Sequence, residues 1–94
     1  MASIEEIREN NKKIGSINES IRTDAYRIST LVSYLQGHVT DMIFAPSLTE
    51  TGNHIDKIYN YCSGIMSATA KIQALVEMRL ALEKANLEDL KKEE

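Results

Sequence analysis

The sequence predicts an all-α fold: an antiparallel two-helix hairpin that completes a four-helix or larger bundle with a partner. Three observations predict it. Apolar residues recur every seventh position on both sides of the middle of the chain, the only proline (Pro46) stands at that middle, and the two apolar seams match when the halves are laid antiparallel. A single domain over 1–94 follows, with one helix over about 3–44, a corner over about 45–53 and a second helix over about 53–91.

Ser3-Ile4-Glu5-Glu6 has the serine–glutamate spacing of a capping box, in which a hydroxyl and a carboxylate satisfy free backbone donors, so the first helix is expected to start there. Ile7, Ile14, Ile21, Ile28, Leu35 and Met42 then fall at seven-residue intervals, with Ile4, Ala25, Val32 and Val39 in the companion column three residues earlier. Asn11 and Asn18 interrupt that column. At 1.5 Å per residue the rod reaches roughly 60 Å.

Pro46 disfavours helical geometry at Ala45, and Gly52 follows, so the chain turns between them. Two helix starts compete, Ser47-Leu48-Thr49-Glu50 and Asn53-His54-Ile55-Asp56, and Asn53 is the preferred one. The second seam then reads Ile55, Ile58, Cys62, Ile65, Thr69, Ile72 and Val76, and the terminal lysines suit the negative end of the helix dipole.

With Met42 opposite Ile55, the same register brings Leu35 to Cys62, Ile28 to Thr69, Val39 to Ile58, Val32 to Ile65 and Ala25 to Ile72. Away from the corner it pairs Asn18 with Arg79, Ile14 with Glu83 and Asn11 with Asn86, a polar seam in which Asn11, Asn18, Arg79 and Asn86 set the register. Beyond Val76 the apolar residues leave the seam: Leu75, Met78 and Leu82 lie to one side, Leu80 and Leu87 to the other. Two helices in contact cover only one stripe each, so these residues, with Ile17 opposite, are expected to bind a partner helix. On this reading a charge at Leu82 weakens the complex and spares the hairpin, whereas damage at Val32 or Ile65 removes its core.

Size and composition agree with a partner. A lone domain this small buries only roughly 60–65 % of its unfolded surface. The 11 basic and 14 acidic residues are interspersed and give a net charge of −3, which argues against nucleic acid, and no run approaches the length of a membrane span. One cysteine makes no internal disulfide, and MASIEEIREN lacks the apolar core of a cleavable export signal. A cytoplasmic protein is expected, with export alongside its partner, by a route that uses no cleaved signal, left open.

Nothing in the sequence favours catalysis, so no enzyme is expected, and no cofactor. His38, Asp41, Glu50, His54 and Asp56 gather near the corner, but no Cys or His pair has the spacing of a closed metal site, and none is assigned. Cys62 reads as a small seam hydrophobe, and there is no glycine-rich phosphate loop.

A chain of about a hundred residues that is acidic, almost wholly one helical hairpin, and left with an uncovered apolar face resembles the WXG family of type VII secretion. More narrowly it is similar to the small helical partners encoded beside LXG toxins. The resemblance is architectural, since the chain has no tryptophan and Leu90 to Glu94 carries leucine at the aromatic place of the family's tail signal. Leu35-Gln36-Gly37 spells an LXG triplet inside the first helix. The resemblance implies a non-enzymatic targeting factor that binds the helical N-terminal domain of an LXG toxin, with or without a second small helical protein, for export. The alternative is a homodimeric four-helix bundle with a structural or regulatory role and no export function.

Overall fold

The computed structural model describes residues 4–92, so Ser3 of the expected capping box and Glu94 of the tail spacing lie outside the described residues. Two helices account for nearly all of it, α1 (Ile4–Ile43) and α2 (Leu48–Lys92). They pack antiparallel along their whole lengths, and no strand occurs among the described residues. The Cα envelope measures 70 × 14 × 14 Å and its radius of gyration is 20.9 Å. A compact chain of this length would have a radius of gyration of about 12 Å. The hairpin is therefore a rod.

The corner is shorter than the sequence suggests. The last turn of α1 tightens through Phe44 N–H to the Asp41 carbonyl and Ala45 N–H to the Met42 carbonyl, both 3.2 Å and both spanning three residues. Pro46 cannot continue the helix. Ser47 then caps α2, its Oγ accepting from the Glu50 N–H at 3.2 Å. The second helix thus starts at Leu48, and the expectation of Asn53 is corrected: Gly52 sits inside the helix, and no described glycine has a positive φ.

The faces that meet also differ from the expected ones. In α1 the column Ile7, Ile14, Ile21, Ile28, Leu35 and Met42 does turn inward, but its companion is Asn10, Ile17, Asp24, Leu31 and His38. Ala25 and Val32 are exposed. In α2, Ile58, Ile65 and Ile72 are inward with His54, Tyr61, Ala68, Leu75 and Leu82, while Ile55, Cys62 and Thr69 face out. Each helix is rotated by about 50°, one seventh of a turn, from the seam read in the sequence. The axial alignment stays close: Arg79 Nη1 donates to Asn18 Oδ1 at 2.9 Å, and Asn86 Nδ2 to Asn11 Oδ1 at 3.1 Å.

Because two helices shield each other along one stripe only, full burial is scarce. Among the described residues Ile17, Ala68 and Asp24 are the buried ones, at 7 %, 5 % and 4 % exposure. Leu31 packs close to the α2 backbone at Gly64, where an added Cβ would come within 3.2 Å of its Cδ1.

Candidate functional site: an uncovered apolar face and a histidine corner

The rotation decides which residues remain for a partner. One side of the hairpin carries Lys13 and Tyr34 from α1 with Gly64, Lys71 and Met78 from α2, as the groove shared by Lys13 and Met78 and the Tyr34–Tyr61 contact require. The opposite side therefore carries the other flanks, Ala25, Val32 and Val39 of α1 with Ile55, Cys62 and Val76 of α2. The heptad pattern assigns these residues to the core; Ala25, Val32, Ile55 and Cys62 are exposed instead, and Val39 and Val76 are half-buried at the edge of the contact.

On α2 this flank is a second seam. Leu48, Ile55, Tyr59, Cys62, Met66, Thr69, Val76, Leu80, Leu87 and Leu90 fall on two adjacent seven-residue columns whose positions alternate in steps of three and four, with Gly52, Gln73 and Glu83 at the three places between them. Tyr59 is 70 % exposed, Met66 72 % and Leu48 92 %. The Thr69 hydroxyl is bonded to the Ile65 carbonyl of its own helix at 2.8 Å, so its polar group is already satisfied within the stripe. Exposed Ile43 and Phe44 extend the apolar surface around the corner.

The residues expected to bind a partner are divided among three places. Ile17, Met78 and Leu82 line one open groove of about 440 Å³ with Lys13, Ser16 and Ala81. Ile17 is buried there and Leu82 half-buried, which places Leu82 on the inner stripe and not on the free flank expected of it. Leu75 is likewise a half-buried seam residue. Leu80 and Leu87 lie on the outer stripe, each more than half exposed.

The polar seam is wider than expected. Asn86 bridges two partners, accepting from Asn10 Nδ2 at 2.9 Å while donating to Asn11. Arg79 reaches Asn18 and holds Glu83 at 3.4 Å through Nε, which lies too far off line for a hydrogen bond. Asp24, which no sequence pattern singles out, is buried at mid-rod; Lys71 Nζ lies 3.5 Å from its Oδ1, and its Oδ2 has no hydrogen-bond partner.

Near the corner the interior is aromatic. Tyr34 and Tyr61 have ring centroids 5.7 Å apart, His38 stacks on Tyr61 at 5.6 Å and 23°, and His38 and His54 lie 5.2 Å apart. The two Nδ1 atoms are 3.0 Å apart. Of the five residues the sequence gathers at this corner, the structure brings His38, Asp41 and His54 together, with ligand atoms within 4.8 Å of one another. Glu50 and Asp56 are not in that group. Cys62 is exposed, free and on the other side of the hairpin. The register read from the heptads sets His38 opposite Tyr59 and so misses the histidine pair.

No helix among the described residues is long and apolar enough to cross a membrane. The class defined by the fold is a two-helix antiparallel hairpin with surface for protein contacts, consistent with WXG-like architecture in general. In comparisons with protein-family models, curated proteins and solved structures, nothing matches the chain.

Proposed function

We propose that this chain is a non-enzymatic partner protein that adds its two helices to the long helical domain of another protein, of the kind LXG toxins carry at their N-termini, and serves as a targeting factor for type VII export. The observation that carries the reading is the second heptad stripe of α2. A stripe with alternating steps of three and four is complementary to another helix, not to a flat sheet or a small molecule. From Leu48 to Leu90 it runs about 63 Å at 1.5 Å per residue, so the occupant is a helix of roughly forty residues. The export role rests on the architectural resemblance.

The test is reconstitution. The full chain is co-expressed with the helical N-terminal domain of an LXG toxin from the same genome, where one is present, and the mixture is analysed by size-exclusion chromatography with light scattering. A stoichiometric heteromeric complex, lost in a Tyr59→Glu/Met66→Glu variant that keeps its helical circular dichroism, is the expected result. A stable dimer of this chain that uses the same stripe and ignores the toxin domain would establish the homodimeric bundle instead.

A further inference from the structure

We propose that His38, Asp41 and His54 form a binding site for a divalent ion of the zinc, nickel or copper class, which pins the two helices together at the corner. The inference starts from the two imidazoles, whose Nδ1 atoms face each other at 3.0 Å. Two metal–nitrogen bonds of about 2.0–2.1 Å, opened by an angle between square and tetrahedral, hold their nitrogens about 2.9–3.4 Å apart. The observed separation falls in that window. An ion enters once the two rings turn so that their lone pairs converge on it, off the line that joins the nitrogens.

The third donor completes an asymmetric set. Asp41 lies three residues after His38 on α1, hence on the same face, and a carboxylate oxygen lies within 4.8 Å of one ring nitrogen of each histidine. His54 comes from α2, so coordination would join the helices across the turn. Stacking of His38 on Tyr61, itself against Tyr34, limits how far the His38 ring can move. The histidines are half-buried and Asp41 is exposed, which leaves an entry path and room for water in the remaining coordination positions.

The donor types select the ion. Two imidazole nitrogens and one carboxylate suit zinc, nickel and copper, whereas calcium and magnesium demand shells of oxygen. Free of metal, the pair is satisfied with one Nδ1 protonated and the other accepting, so the hairpin forms without the ion and the ion adds to its stability.

The experiment uses the full chain, stripped with chelator, titrated with zinc chloride by calorimetry and melted with and without zinc. One zinc per hairpin is expected, with Tm raised by about 5 °C or more at saturation. His54→Ala should weaken zinc binding at least tenfold and Asp41→Asn by less, while Cys62→Ser binds as the parent does. Should His54→Ala lose its helical signal, His54→Gln, whose amide can still hydrogen-bond His38 across the seam, replaces it. No saturable zinc binding, binding that survives in a His38→Ala/His54→Ala double variant, loss of binding in Cys62→Ser, or one zinc per two chains would each overturn the assignment.

Discussion

The two stripes of α2 differ in what covers them far more than in how apolar they are. The inner stripe, half-buried against α1, includes Ile58, Ile65, Ile72 and Leu75, yet also His54, Arg79, Asn86 and Asp89. The outer stripe holds Leu48, Ile55, Met66, Val76, Leu80, Leu87 and Leu90, and in the isolated chain it mostly meets water. A helix whose uncovered side is as apolar as its covered one is built for neighbours on both sides. The inner stripe can hold polar residues because each of several meets a partner across the seam: Asn86 takes Asn10 and Asn11, Arg79 takes Asn18, and His54 takes His38.

The largest effect should come from breaking the inner stripe. Ile17→Asp would place a carboxylate without a partner at a buried position, at a cost of about 3 kcal/mol or more. A hairpin with so little buried surface cannot absorb that, and loss of cooperative melting by circular dichroism is the expected result. Leu82→Glu should act in the same direction, more weakly, because Leu82 is half-buried. If Ile17→Asp melts like the parent chain, the inner stripe has been put on the wrong face.

The outer stripe gives the opposite pattern. Met66→Glu should leave the Tm of the free chain within a degree or two, and cost a partner complex about 1.5–3 kcal/mol, or roughly 10- to 150-fold in affinity. Val32, on the same side but only 37 % exposed, should weaken the complex likewise when changed to Glu and cost the free chain more than Met66→Glu does. Titration calorimetry on the reconstituted complex, with melting of the free chain beside it, separates the two. Unfolding of the free Met66→Glu chain would make the two stripes equivalent and remove the contrast.

These two substitutions also show how far the sequence could be read. The column from Ile7 to Met42 and the isoleucines at 58, 65 and 72 were legible, as was the antiparallel alignment, because apolar residues at seven-residue spacing leave few alternatives. Which neighbouring column completed the seam was not legible. Ala25, Val32 and Val39 look more like core than Asn10, Asp24 and His38 do, and a one-dimensional pattern favours them. The true companion column is tolerated because Asn10 has Asn86, Asp24 has Lys71 and His38 has His54. That information resides in pairs, and a pattern along one strand of sequence does not contain it. The same cause hid the histidine corner.

Asp24 sharpens the comparison from the inner side. Its carboxylate is buried with one oxygen unpartnered and a single lysine at 3.5 Å, and that lysine is largely exposed and can return to water. Replacing a buried ion pair by apolar packing is often stabilising by about 1–4 kcal/mol, and the low end applies because only one member changes. Asp24→Leu should therefore raise the denaturant midpoint, by about 1 kcal/mol in stability, without altering the m-value. A lowered midpoint would mean that Lys71 and the polar recess around Asp24 contribute more than the carboxylate's desolvation costs.

The smallest effect contrasts two glycines, one on each side of α2. Gly52 lies on the outer stripe with nothing within 4 Å of the place an added methyl would take, and Gly64 lies beside the seam with Leu31 Cδ1 3.2 Å from that place. Alanine in a helix interior is favoured over glycine by about 0.8–1.0 kcal/mol, so Gly52→Ala should stabilise the free hairpin by up to that amount. At Gly64 the same propensity gain is opposed by a methyl that Leu31 must yield to, and the leucine can move only by loosening its own packing against α2. Gly64→Ala should thus gain clearly less than Gly52→Ala in thermal melts run side by side. Equal gains at the two sites would show that Leu31 relaxes freely, and that helix packing at mid-rod is as loose as the uncovered stripe on the other side.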